Sequence, residues 1–448
     1  MAGQEPPVSV AHAALAEALD RKLTKWARIG RAPEYFRLER RGPYKQTVMH
    51  ELNRFGGQMG PYVDSQLQLR RVDYINASPI DNLGVSMPRF VATMCPKCST
   101  FAHFWSMIWE LRSKVIINLT HENDRVGSGT TDKREQYWPP FDKATTSAAN
   151  TWPVQPRTLS CETCSEVVGL RRFRIELTSK QEGAAGGTPS VRIVTLFWYS
   201  RWEDFPNSSS IGSRQFYANA SNVLHVAMHT AQMLIGQDAV DDAAGDDAAG
   251  EDAAGEGGEV LDSSPWAVCH CSAGVGRTGT FVALVKLLRE LELGRVAERL
   301  EAFDKLLAMT IEAMRERRLW MVKTDTEFAT IHAAFMQRLL TPRVRDFALS
   351  WEASCLTTAC AGRRDDVALS GQDEILKHYA RASTSSVGDA SVETPSSDSE
   401  PIDAAAQSEA SPEESSAALT TKPPVAASVS TEDVRSVTET ETSKIFRL

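Results

Sequence analysis

The sequence predicts an α/β (α+β) protein followed by a tail that lacks a core. Three observations predict it. Helical and strand patterns alternate between residues 8 and 340. The short apolar run Val115-Ile-Ile-Asn-Leu119 suits the interior of a sheet. A strand at Trp266–His270 leads through a glycine-rich turn into a helix from Thr278 to Leu293.

The elements follow in order. Residues 8–30 place Val10, Ala13, Leu15, Leu19 and Leu23 at helical spacing. Val72–Ser78 and Arg89–Thr93 turn to strand patterns. Phe101–Leu111 is an aromatic-rich amphipathic helix. Residues 167–177 and 189–199 read as further strands, and 214–235 as a helix. Asp238–Gly258 then comes close to repeating Asp-Asp-Ala-Ala-Gly, with Val240 its only larger apolar residue, so it cannot bury a core. Strand and helix patterns resume afterwards, so residues 236–262 read as an acidic insert within one folded unit, residues 1–343. Helices at 297–317 and 324–340 complete that unit. Residues 344–448, rich in Ser, Thr, Ala, Pro and Glu, read as a disordered tail with a short helix pattern at Asp346–Trp351.

The 448 residues carry a net charge of −9. The insert 236–262 contributes −10 and residues 344–448 contribute −9, which leaves +10 for the rest. A basic folded part suits an anionic ligand. No nucleic-acid motif accompanies the charge, so nucleic acid is not the expected partner. No apolar run reaches the roughly 18 residues that cross a bilayer. Met1-Ala-Gly-Gln-Glu-Pro-Pro shows neither a signal-peptide nor a myristoylation pattern. The expectation is a monomer in the cytoplasm without a membrane partner, with the nucleus open as a second location.

The eight cysteines include Cys95-Pro-Lys-Cys98 and Cys161-Glu-Thr-Cys164. Four thiols in two such pairs fit tetrahedral zinc. The pairs lie 62 residues apart on segments expected in one sheet. Surface thiols, or a redox partner for Cys271, are therefore preferred to a metal site.

Val268-Cys-His-Cys-Ser-Ala-Gly-Val-Gly-Arg-Thr-Gly-Thr-Phe281 reads as strand, turn and helix. Successive N–H groups of Ser272, Ala273, Gly274, Val275 and Gly276 can point into such a turn, and the helix N-terminus adds partial positive charge, which suits phosphate. Gly274, Gly276 and Gly279 allow positive φ and close approach. Arg277 can bind two phosphate oxygens. Cys271 ends the strand, where these dipoles and Arg277 favour the thiolate that attacks phosphorus in line. The plain alternative is a buried cysteine beside an ordinary turn. His270 before it and Thr278 after it make that the poorer reading.

His270-Cys-Ser-Ala-Gly-Val-Gly-Arg-Thr-Gly279 resembles the signature of the classical protein tyrosine phosphatases of non-receptor type. Asp73-Tyr-Ile-Asn-Ala-Ser78, Phe104-Trp-Ser-Met-Ile-Trp109 and Gln136-Tyr-Trp-Pro139 resemble further segments of that family, in chain order. The resemblance covers residues 10–343 apart from the insert. It implies a highly twisted mixed sheet flanked by helices. It implies hydrolysis of phosphotyrosine through a phosphocysteine at Cys271, without cofactor or metal. Phosphotyrosine proteins, mitogen-activated protein kinases among them, are the implied substrates. Asp204, within Trp202-Glu203-Asp204-Phe205, is implied as general acid, and Asn53-Arg54-Phe55 as the clamp on the substrate ring. Glu122 is implied as the partner of Arg277, and Lys133 as the residue approaching Asp204. Met321-Val-Lys323-Thr-Asp-Thr-Glu327 resembles the loop that places the hydrolytic water.

The departures from the family pattern are specific. Glu203 stands for Pro, which is expected to alter loop movement more than chemistry. Phe55 replaces Tyr, and no Asp follows it to hold the peptide backbone. Trp320 replaces a residue that is often small. Lys323 and Glu327 replace two Gln, and Lys offers no acceptor to orient water. Slow breakdown of the phosphoenzyme is therefore expected, and a phosphotyrosine-binding pseudophosphatase with impaired turnover stays open. A dual-specificity or phosphoinositide phosphatase ranks third, because those lack the ring clamp and the Gln-Tyr-Trp-Pro segment.

Overall fold

The structure is a computed structural model. It describes residues 10–38, 45–47, 49–55, 59–85, 87–124, 136–141, 152–165, 167–179, 190–202, 211–236, 266–296 and 298–341. These belong to the first of two units, residues 1–376 and 377–448. The insert beyond Gly236 and everything after Thr341 lie outside the described residues.

Seven strands form one mixed sheet in the order β1-β2-β7-β3-β6-β5-β4. They are β1 (Ala77–Ile80), β2 (Arg89–Met94), β3 (Val115–Asn118), β4 (Val154–Thr163), β5 (Leu170–Ser179), β6 (Ser190–Tyr199) and β7 (Trp266–Cys271). The four central strands β2, β7, β3 and β6 are parallel, whereas β1 at one edge and β5 and β4 towards the other are antiparallel to their neighbours. β7 is buried along its whole length, as a parallel strand covered on both faces should be.

Alternation along the strands separates two cores. Val91, Ile116 and Val268 pack with Phe104, Trp105 and Met107 of helix α2 (Phe101–Glu110) and with Trp138. On the other face Phe90 meets Phe281 of helix α4 (Gly276–Glu292) edge to face. Helix α6 (Asp325–Leu340) packs against α4, α1 (Val10–Ile29) and α3 (Arg214–Gly236), with α5 (Leu300–Arg317) beside α1 and α4. The expected mixed sheet flanked by helices is therefore the observed architecture, and every helix read from the described sequence is present.

Two strand readings change. Val72–Ser78 becomes a strand only from Ala77, because Tyr74 and Asn76 turn their side chains to hydrogen bonds with Asn53. β4 was not legible as a strand. Pro156 interrupts its pattern and is tolerated because β4 is the edge strand and can lose a donor on its open side.

β4 also bears on the cysteine pairs. Cys161 lies within β4, while Cys95 directly follows β2, five strand positions away. At about 4.8 Å per strand that is roughly 24 Å, so the two pairs do not share one tetrahedral ion. Among the described residues no cluster of three or more His, Cys, Asp or Glu is placed to hold a metal. No described helix is long and apolar enough to cross a membrane.

Three histidines in the helical layer are held neutral by burial. The His332 imidazole lies below its ordinary 6.5 through burial, despite its contact with Asp304. His225 is lowered by burial, and His229 is brought to about 4 by burial and by His225. In the unfolded chain these groups take up protons below 6.5, so the unfolded state gains protons that the fold does not. Stability is fully present above that pH and is lost as pH falls towards 4, with up to about 1.4 kcal/mol per pH unit for each group. Urea midpoints from pH 7.5 to 5 should decline, and His229→Gln should flatten the decline. An unchanged slope in that variant would show that His229 is not among the responsible groups.

Candidate active site

The C-terminal ends of β2, β7, β3 and β6 open on one side of the sheet, and the candidate site is built there. Cys271 ends β7 and is buried, 3% exposed. Ser272–Val275 form the turn, and Gly276 and Arg277 open α4. The turn is shaped by close backbone contacts. Gly274 has φ +71°, and a Cβ there would lie 2.0 Å from the Thr93 carbonyl oxygen of β2. Gly276 and Gly279 need no positive φ. A Cβ on Gly276 would meet the Glu327 carboxylate at 2.3 Å, and one on Gly279 the Val322 amide nitrogen at 2.3 Å.

His270 sits beneath Cys271, fully buried. Its Nε2 lies 2.8 Å from the Tyr137 hydroxyl, and its ring stands edge-on to Phe104 and Tyr137. The Gln-Tyr-Trp-Pro segment thus reaches the site through this imidazole. Thr278 is fully buried in the first turn of α4. Burial, with Cys271 adding to it, pushes the Cys269 thiol well up, so Cys269 is a neutral core side chain.

Arg277 is 1% exposed and held on two sides. Nη1 donates to the Trp202 carbonyl at 2.7 Å, and Nη2 donates to Asp124 Oδ2 at 2.7 Å. The carboxylate expected at Arg277 was that of Glu122. Glu122 instead pairs with Arg201 at 2.9 Å, half-exposed, while its N–H donates to the Ser200 carbonyl. The reason is the path of the loop after β3, where a turn at His121–Asp124 carries its fourth residue inward. His121 N–H donates to Asp124 Oδ2 at 3.0 Å and Asp124 N–H donates to the His121 carbonyl. Asp204, Glu203 and Lys133 lie outside the described residues.

The Asn53-Arg54-Phe55 segment, expected to clamp a substrate ring, is stapled to the end of β2. Arg54 Nε donates to the Cys95 carbonyl at 2.7 Å, its Nη2 donates to the Pro96 carbonyl, and its N–H approaches Met94 Sδ at 3.1 Å. Arg54 is thus engaged with backbone, and Phe55 follows it half-buried. Asn53 Oδ1 accepts from Tyr74 and Asn76.

The loop before α6 is held by a helix cap. Glu327 caps α6, its Oε2 accepting from the N–H groups of Lys323 and Thr324 at 2.7 and 3.0 Å, while Thr324 Oγ1 accepts from the Glu327 N–H. Thr324-x-x-Glu327 is a capping box, which either Glu or Gln can complete. The Lys323 ammonium lies 5.5 Å from the centre of the Trp320 ring. Trp320 and Val322 adopt φ +60° and +57°, costly for an aromatic and a β-branched residue. That turn is held by Arg315, which donates to the Met321 and Val322 carbonyls, and by the Val322 N–H on the Val275 carbonyl. Asp124, Arg315 and Arg318 were not singled out from the sequence. Asp124 could have been suspected as a second acid beside Glu122. The two arginines look like a solvated basic helix end.

A buried cysteine and a buried arginine stand at the two ends of one backbone turn, placed where parallel strands end, an arrangement that defines a strand–turn–helix site with a thiol at one end and a guanidinium at the other. Residues 50–337 match the protein-tyrosine phosphatase family, and the chain belongs to that family. Human receptor-type tyrosine-protein phosphatase zeta is 25% identical over 269 residues, which cover 60% of this chain and 9% of that protein. The Lar-like tyrosine-protein phosphatase of Caenorhabditis elegans is 27% identical over 266 residues, 59% of this chain and 9% of the relative. Human tyrosine-protein phosphatase non-receptor type 14 is 25% identical over 291 residues, 63% of this chain and 20% of the relative. The chain thus spans a fifth or less of the length of these three relatives.

Proposed function

We propose that this chain removes phosphate from phosphotyrosine in proteins through a phosphocysteine on Cys271. The observation that supports it most is the buried Arg277, anchored on two sides across the turn from the buried Cys271. The phosphate is taken up by the turn's N–H groups and Arg277. The Cys271 thiolate attacks phosphorus, the bond from phosphorus to the tyrosine oxygen breaks, and Asp204 gives that oxygen a proton. Water then attacks phosphorus, the sulfur–phosphorus bond breaks, and Asp204 takes the water's proton. Arg277 and the N–H groups offset the phosphate charge, so the reaction calls on no cofactor or metal. Phe55 clamps the ring and favours tyrosine over the shorter phosphoserine. The catalytic domain is residues 1–343, acting as a monomer in the cytoplasm, with the nucleus a second location. Phosphotyrosine proteins are the substrates, with mitogen-activated protein kinases the class that the family resemblance suggests.

A pseudophosphatase with impaired turnover is favoured by one observation: the Lys323 ammonium lies over Trp320 while the Glu327 carboxylate is committed to backbone N–H groups. Stopped-flow hydrolysis of para-nitrophenyl phosphate separates the two readings. The enzyme should show a burst of phenol followed by a slow phase, Lys323→Gln should quicken the slow phase, and Cys271→Ser should abolish both. Binding of a phosphotyrosine peptide with no phenol release would decide for the pseudophosphatase. A linear time course unaffected by Lys323→Gln would remove Lys323 from the hydrolytic step.

A further inference from the structure

Arg318 is 1% exposed and fills the space between the phosphate-binding turn and the start of β1. Its Nε donates to the Gly274 carbonyl at 2.8 Å and its Nη2 to the Ala273 carbonyl at 2.9 Å. The oxygen and hydrogen of a trans peptide point to opposite sides of its plane. Holding these two carbonyls on the β1 side therefore turns the N–H groups of Gly274 and Val275 the other way, into the turn. Such a bond from a buried cation is stronger than one between neutral groups.

The same guanidinium reaches further. Nη2 donates to Asn76 Oδ1 at 2.7 Å and Nη1 to Ser78 Oγ at 3.3 Å. Asn76 Nδ2 donates in turn to Asn53 Oδ1 at 2.9 Å and to the Met59 carbonyl at 2.8 Å. Asn53 precedes Arg54-Phe55, and Met59 closes the same segment on its far side. Both ends of the Phe55 segment therefore hang on one amide, and that amide hangs on the cation that orients the turn.

We infer that Arg318 and Asn76 are positioning residues for substrate, an inference that rests on the phosphatase reading. Arg318 fixes the direction of two phosphate-binding N–H groups. Asn76 fixes the height of the Phe55 ring above them, and so the margin by which an aryl phosphate is preferred to a bare one.

Calorimetric binding of inorganic phosphate and of phenylphosphonate to the full chain tests this without turnover. The ratio of the two affinities reports the contribution of the ring. Asn76→Ala is expected to shrink that ratio about tenfold while changing phosphate affinity less than about threefold. Arg318→Lys keeps the charge and loses the fork, and should weaken both ligands about tenfold or more. Thermal melts identify variants that have lost the fold. Folded variants that keep both the phosphate affinity and the ratio would overturn the inference. If Arg318→Lys does not fold, an unchanged ratio in Asn76→Ala is enough to overturn it. A wild type that binds both ligands but never hydrolyses phosphotyrosine overturns the enzymatic reading and leaves this inference standing. A wild type that binds neither overturns both.

Discussion

Asp124→Ala is expected to lower kcat/KM for para-nitrophenyl phosphate by about 100-fold or more, whereas Glu122→Ala should change it less than about threefold. The contrast follows from burial. Asp124 and Arg277 form an ion pair with side chains 7% and 0% exposed, and removing one member leaves a buried charge without its counterpart. Breaking such a pair costs about 3–5 kcal/mol. Under the proposed function the cost falls on the group that meets the phosphate, because Nη2 is aimed by Asp124. Glu122 and Arg201 are 37% and 46% exposed, a pair that water screens and that contributes at most about 1 kcal/mol. Steady-state kinetics of the two variants side by side decide the matter. Equal losses, or a larger loss for Glu122→Ala, would return the role to Glu122.

Gly274→Ala should destabilise the protein by about 2–6 kcal/mol, the sum of left-handed backbone strain and overpacking. The new Cβ would lie 2.0 Å from the Thr93 carbonyl oxygen and 2.5 Å from its carbon. Those atoms belong to β2, which is fixed between β1 and β7 and cannot move aside. Gly30 is the control, because it has φ +69° and a Cβ added there would meet nothing within 4 Å. Gly30→Ala should cost only the backbone part, about 1 kcal/mol. Urea midpoints of both variants measure the difference. A Gly274→Ala protein as stable as Gly30→Ala would show that β2 and the turn can separate.

The helices and the central strands were legible because each rests on a local pattern that burial then enforces. Val115–Asn118 is buried at every position as an interior strand should be, and Phe101–Glu110 is rich in aromatics because Phe104–Trp109 are all buried. β4 was not legible, since Pro156 and a partly polar edge erase the period of two. Cys271, Arg277 and the glycines were legible as one strand–turn–helix segment, in which close contacts leave no room for a Cβ at the glycines. The choice of Asp124 over Glu122 was not, since it turns on which residue of the His121–Asp124 turn points inward. Arg318 was hidden for a similar reason. A cation at a helix end is ordinarily solvated, and only the tertiary fold drives this one beneath the turn. Glu327 shows the opposite case, because its capping box could be read directly from Thr324 and Glu327.

Arg277 touches the loop after β3 through Asp124 and the strand end after β6 through the Trp202 carbonyl. Those two segments are also joined to each other by Glu122, through Arg201 and the Ser200 carbonyl. The guanidinium therefore reports a conjunction. It is fully oriented only when both segments are in place, and a disturbance of either is felt at the same atom. The orientation of Arg277 is in this sense a logical AND, computed by one side chain from two separate stretches of chain.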